Sequence, residues 1–318
     1  MPLSFKKEVF LMVTFYKTEN KKMVQLPERT DGCWICVTDP SEPELSALAE
    51  SLGIEDDFLR AALDEEESSR IDSEDGVTLV IIDIPRVERE GDAVIYSTMP
   101  FGIIFTAKNV ITVCLAESTI IREFANGSAK QFKTEHKTQF ALQLMYTVAN
   151  RYLQHLKQID KISSHVEKKL HASMKNAELI QLLDLEKSLV YFSTSLKANQ
   201  ITMEKLLRGR AIKMYEEDQE LMEDVLIEVR QAIEMSEIYS SILSGTMDAF
   251  ASIISNNLNI VMKVLTSMSI ILTIPTMIFS LYGMNVPLPC DTFWFPVGIS
   301  VVVTAAVALF LKKKGLLK

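Results

Sequence analysis

Apolar residues run almost unbroken through 260–281 and again through 293–311, where Lys312, Lys313 and Lys314 close the second run. Each run approaches the roughly 20 residues that a helix needs to cross the hydrocarbon of a bilayer. The stretch between them is too short for a domain, so the pattern predicts a transmembrane hairpin. Far upstream the pattern differs. Short runs rich in β-branched and aromatic residues predict strands at 10–16, 33–38, 77–85, 94–106 (broken near Pro100) and 110–115. Ser41-Glu42-Pro43-Glu44 reads as a capping box with proline in the first turn, opening a helix to about Ser51. A second short helix is predicted at 55–63, and Ser118 starts a third before the region ends near Asn126-Gly127-Ser128.

From about Thr134 apolar residues recur at spacings of three and four, as in Leu142, Met145, Tyr146, Ala149, Leu153 and Leu156. That spacing marks a helix with one buried stripe. A break near Lys175-Asn176 precedes a second helix, 177–207, and Gly209 precedes a third that begins near Glu216. The third meets no strong stop signal before Leu281 apart from Gly245. It is read as a stalk that continues as the first membrane span, about 95 Å long at about 1.5 Å per residue. His155, His165 and His171 are read as solvated surface. The fold class is α+β, divided into a cytoplasmic α/β domain (1–130), long stalk helices (131–258) and a transmembrane hairpin (259–318).

The first span is not uniformly apolar. Asn259, Met262, Thr266, Ser269, Thr273, Thr276, Ser280 and Gly283 advance by alternating steps of three and four, which keeps them on one face of a helix. Serine and threonine in membrane helices often bond back to their own carbonyls or mediate packing. A polar stripe kept up for a whole span instead points to water. Pro275 frees a carbonyl one turn back, read as facing the same water. Around Met262 and Leu265 the stripe turns apolar, where a ring of side chains closes a path by dewetting. The second span carries only Ser300 and Thr304 as polar members and reads as an outer, lipid-facing helix. One amphipathic span cannot enclose water, so the stripe implies several copies around an axis. No carboxylate lies on it. Neutral oxygens of this kind bind the water shell of a magnesium ion without stripping it, weakly enough for release.

Charge sharpens the topology. The net charge is −9, yet residues 259–318 carry five lysines against Asp291 alone, leaving 28 basic and 41 acidic residues before them. An acidic soluble portion argues against nucleic acid as a partner. The first twelve residues lack a signal-peptide h-region, so the amino-terminal part is expected in the cytoplasm. The lysine-rich tail then places both termini inside a cell (inner) membrane that the chain crosses more than once. Cys33 and Cys36 sit three apart in a strand, on opposite faces, and read as buried structural thiols.

Tyr282-Gly283-Met284-Asn285, after Thr273-Ile274-Pro275-Thr276 and ahead of a Trp-containing second span with a lysine-rich tail, resembles the CorA family of divalent-cation transporters. The likeness extends through Met262-Lys263-Val264-Leu265-Thr266 and Ser244-Gly245-Thr246-Met247-Asp248-Ala249-Phe250. The resemblance implies a homopentameric channel for Mg2+, with Co2+ and Ni2+ as further cargo, and a funnel-shaped cytoplasmic domain. It implies that Gly283, Met284 and Asn285 form the outer selectivity ring. It carries the pore lining to Asn259, Met262, Leu265, Thr266, Ser269, Thr273, Thr276 and Ser280. Intracellular Mg2+ bound between neighbouring subunits closes the pore in this family. One acidic partner matches Asp224, and the run containing Asp64 and Glu67 is the candidate for the other. The outer loop offers Asp291 as its one carboxylate.

The leading expectation is gated Mg2+ influx. Zinc export is the alternative within the family, because zinc-exporting members share Gly-Met-Asn. A non-conducting membrane scaffold or sensor is the alternative of another class, and the polar stripe opposes it. An enzyme is disfavoured: there is no G-x-x-x-x-G-K-[ST] phosphate loop, and no nucleophile–base pair stands out.

Overall fold

The computed structural model describes residues 13–20, 22–90, 93–127, 133–173, 176–209, 211–284 and 292–316. Two compact units divide the chain between Ser244 and Gly245. In the first, β1 (Val13–Glu19), β2 (Lys22–Leu26), β3 (Trp34–Thr38), β4 (Arg70–Glu74), β5 (Val77–Glu90), β6 (Ala93–Phe105) and β7 (Val110–Cys114) form one sheet. Its order is β2-β1-β3-β7-β6-β5-β4. β3 and β7 pair parallel, and the other neighbours pair antiparallel. β2 and β4, absent from the sequence expectation, are the two edge strands. The only partly buried side chain of β4 is Ile71, so the alternation that betrays a strand is missing there.

β6 is not broken at Pro100. Asp83, which faces Pro100, turns its amide and carbonyl away from β6, toward the side chain of Asn199. Pro100 therefore turns its nitrogen toward β7, whose pairing has already ended at Phe101–Cys114. No ladder bond is lost, which is the condition for proline in a strand. Asn199 completes the sheet edge where β4 stops. Its amide oxygen accepts from the Asp83 amide and the Ser69 hydroxyl, and its NH2 donates to the Asp83 carbonyl, each at 2.8 Å.

One sheet face packs on α1 (Glu42–Leu52), α2 (Asp56–Arg60) and a 3-10 turn (Ala61–Leu63). The core there joins Cys33, Ile35 and Val37 to Leu45, Leu59 and Ile111. The Glu44 carboxylate accepts from the Ser41 amide at 2.9 Å, as the capping box predicts. Gly102 is needed for close approach: a Cβ there would meet the Ala62 Cβ at 2.6 Å. The opposite face carries Trp34 and Cys36 and meets α4 (Lys137–Ser173) and α5 (Asn176–Arg208), with α3 (Thr119–Ala125) beside them. The Trp34 indole donates to Thr112 at 2.8 Å, and the Trp34 ring packs at a tilt against Phe140 with centroids 5.3 Å apart. His155 is not solvated surface: it packs on Tyr96 and Phe192, and burial lowers its pKa. Cys33, Cys36 and Cys114 are buried thiols, and desolvation pushes Cys114 up to about 12.

α6 is a single helix, Glu216–Tyr282, running through Gly245 and Pro275 without interruption. Its first part belongs to the amino-terminal unit, where Arg230 and Lys197 make ion pairs across α5 and α6 with Glu204 and Glu237. Its remainder forms the second unit with α7 (Trp294–Lys313).

Candidate functional site

Among the described residues, α6 and α7 are the helices long and apolar enough to cross a membrane. Their apolar side chains find little cover within the chain: Leu272 is 65 % exposed, Met277 72 % and Val302 68 %. Leaving such side chains in water forfeits about 1.5–3 kcal/mol each, which hydrocarbon restores. Two faces of α6 can be told apart. Positions 267, 271, 274, 275, 278 and 282 are the less exposed ones between 261 and 282. This face turns to α7, because Ser267 hydrogen-bonds the Leu316 carbonyl at 3.1 Å and the Tyr282 ring meets Phe295 with centroids 6.4 Å apart. Ser300 is buried and Thr304 half-buried, so the polar residues of α7 do not face lipid.

Every position of the stripe is exposed (Asn259, Met262, Thr266, Ser269, Thr273, Thr276, Ser280 and Gly283), as are Leu265 and Met284, which the resemblance adds. The hydroxyls of Ser269, Thr273 and Thr276 donate to the carbonyls of Leu265, Ser269 and Leu272 at 2.9, 2.8 and 3.0 Å. Back-bonding of this kind satisfies the hydroxyl proton inside the helix. What remains outward is oxygen lone pairs alone. Ser269, Thr273 and Thr276 thus present a row of neutral acceptors, suited to groups that present hydrogens, as the waters around a cation do. The carbonyl freed by Pro275 does not join it. That carbonyl belongs to Ile271, which a helical step of about 100° per residue sets about 160° from Thr273, on the half-buried face.

At the end of α6 the Gly283 amide donates to the Phe279 carbonyl at 2.9 Å. Gly283 is not among the glycines with positive φ, so the left-handed cap that would require glycine is absent. A Cβ at Gly283 would find only ordinary contacts, 3.4 Å to the Phe279 carbonyl oxygen and 3.6 Å to that of Ser280. Neither conformation nor crowding within the chain demands glycine here. Asn285 and Asp291 lie outside the described residues.

The acidic candidates are dispersed. Asp64 is exposed and its carboxylate accepts from the Glu66 amide at 3.0 Å. Glu67 pairs with Arg70 at 3.5 Å. Asp224 is exposed on α6, on the side away from buried Met222, Val225 and Leu226. Among the described residues no group of three or more His, Cys, Asp or Glu side chains gathers to hold a metal. The described residues of one chain therefore do not gather a carboxylate set for Mg2+.

Sequence reading overlooked Ser267, a buried polar residue off the stripe whose position among apolar neighbours already required a partner.

The family model described as CorA-like Mg2+ transporter protein matches residues 30–313. The cobalt/magnesium transport protein CorA of Methanocaldococcus jannaschii is 28 % identical over 296 residues, covering 89 % of this chain and 90 % of the relative. The complete structure of the CorA magnesium transporter from that organism superposes with a TM-score of 0.82 at 25 % identity, covering 96 % of this chain and 98 % of the other. The ZntB cytoplasmic domain from Vibrio parahaemolyticus shares the fold, with a TM-score of 0.59 at 11 % identity, covering 77 % of this chain and 97 % of that one. With a family match over most of its length, the chain belongs to the CorA-like Mg2+ transporter proteins.

Proposed function

We propose that this protein is a channel for Mg2+ influx, with Co2+ and Ni2+ as secondary cargo, assembled as a homopentamer in the cell (inner) membrane. Residues 1–130 and 131–258 form its cytoplasmic α/β and stalk regions, and 259–318 form the membrane hairpin, with both termini inside. Five copies of α6 line the path with Asn259, Thr266, Ser269, Thr273, Thr276 and Ser280. Met262 and Leu265 narrow it at the inner end, and Gly283, Met284 and Asn285 form the outer ring, with Asp291 near the mouth. The observation that carries this reading is the exposed stripe, in which the hydroxyl protons of Ser269, Thr273 and Thr276 are already bonded within the helix. Outward acceptors at these three levels suit a cation that keeps its water. The membrane potential supplies the drive, at about 2.3 kcal/mol per charge per 100 mV. Intracellular Mg2+ bound between subunits, with Asp224 on one side and Asp64 and Glu67 on the other, closes the path. The cobalt and magnesium named for the Methanocaldococcus relative agree with the cargo.

Flux into liposomes carrying the purified protein, with Mg2+, Co2+ and Zn2+ compared side by side, tests the reading. Mg2+ entry that disappears in Asn285→Ala, with the oligomer intact, is the expected result. Undiminished entry in that variant refutes the pore assignment, and Zn2+ movement without Mg2+ movement replaces influx with zinc export.

A further inference from the structure

Ser267 is 1 % exposed, yet it sits in the middle of an apolar span. Its one hydroxyl proton is shared between the Lys263 carbonyl at 2.7 Å and the Leu316 carbonyl at 3.1 Å, a three-centre bond. The first contact is the back-bond that Ser269, Thr273 and Thr276 also make. The second crosses to the segment beyond α7. That segment is itself fixed. The Lys314 amide donates to the Phe310 carbonyl at 3.0 Å, the Gly315 amide to Lys312 at 3.1 Å, and the Leu316 amide to Leu311 at 3.1 Å. Gly315 takes a φ of 70°, the left-handed cap that lets the chain turn back. Leu311 is buried at the same end of the hairpin. A held turn therefore presents the Leu316 carbonyl to a buried hydroxyl on α6.

The place of this bond along α6 gives it a consequence. At about 100° per residue, Ser267 stands about 140° from Met262 and about 160° from Leu265. It is thus on the back of the two side chains assigned to the inner narrowing. The geometry points to Ser267 as a positioning residue for that narrowing: its hydroxyl fastens the end of α7 to the back of α6 and holds Met262 and Leu265 toward the axis when the path is shut. This inference rests on the pore reading above. Ser267 touches no ion; it acts through the two apolar side chains.

The test measures residual Mg2+ flux, and the internal Mg2+ that halves the flux, in liposomes holding the full-length protein. Ser267→Ala removes the hydroxyl, Ser267→Thr keeps it, and a chain ended after Gly315 removes the carbonyl. Ser267→Ala and the shortened chain are each expected to raise residual flux at closing Mg2+ by at least about two- to tenfold, the scale of one interhelical hydrogen bond lost in a single subunit. The two changes together should equal either alone, and Ser267→Thr should match wild type. Additive effects, or unchanged closure in Ser267→Ala, overturn the proposal. A lower melting temperature with unchanged closure also overturns it, since that is all a packing role predicts. A wild-type protein that moves no Mg2+ overturns the channel reading itself, and wild-type flux with indifferent variants overturns the fastening alone.

Discussion

Replacing Thr273 by valine removes one oxygen from the stripe and little else. The Thr273 hydroxyl donates to the Ser269 carbonyl at 2.8 Å, and the side chain is exposed within the chain. That carbonyl keeps its main-chain partner in the helix ladder, the Thr273 amide, so no buried group is orphaned. The variant should fold and assemble as the parent does. What it loses is an acceptor for water. A neutral hydrogen bond has a net worth of about 0.5–1.5 kcal/mol. Five symmetric copies at the low end remove about 2.5 kcal/mol from a hydrated ion at that level. At 1.4 kcal/mol per factor of ten, this is roughly a 60-fold fall in local occupancy. Mg2+ flux at sub-saturating concentration should fall at least about tenfold on that scale. Thr273→Ser keeps the acceptor and should stay within about threefold of the parent, less than one such bond per subunit would cost. Dye-reported Mg2+ entry into proteoliposomes, with the oligomer checked by size exclusion, measures both. Flux within twofold of the parent in Thr273→Val, or equal losses in both variants, refutes the acceptor argument.

Gly283→Ala should leave the fold and oligomer unchanged, because a Cβ there meets nothing closer than 3.4 Å. It should nevertheless depress flux, and a normal rate would show that open backbone at the helix end has no role. Asp224→Ala should raise the internal Mg2+ needed for closure, read as loss of Mg2+-dependent protease protection; protection at the parent concentration would remove Asp224 from the sensor. Burial pushes the Asp83 carboxyl upward, opposed by a hydrogen bond with Ser195. A raised acid pKa adds stability that is full below the unfolded value, about 4, and is lost as pH rises through the folded one. Asp83→Asn should therefore melt higher than the parent in detergent near neutral pH, with the difference vanishing below about pH 4. A constant difference across the range refutes the assignment to this carboxyl.

The strands flanked by apolar neighbours were legible because burial on two faces leaves runs such as Val110–Cys114. β2 and β4 were not, since an edge strand packs few side chains and its sequence carries little alternation. The expected break at Pro100 failed for a different reason. Whether proline disrupts a strand depends on which neighbour its nitrogen faces, and that is a property of the pairing rather than of the run. The polar stripe was legible because period and polarity coincide on an exposed face. Ser267 was not, for its meaning lies in a carbonyl 49 residues away. Asp64, Glu67 and Asp224 carry no spacing that marks them as a set, since they sit on separate segments and gather no metal-binding group among the described residues.

The stripe from Asn259 to Met284 contains no group that gains or loses a proton in the physiological range. Acidifying either side of the membrane would leave the affinity of these oxygens untouched. A pH dependence of transport would then locate itself elsewhere: in the carboxylates of the amino-terminal unit, in His155 between its two aromatic neighbours, or in Asp291. If the stripe lines the path as proposed, its neutral oxygens separate how well the ion is held from how many protons surround it.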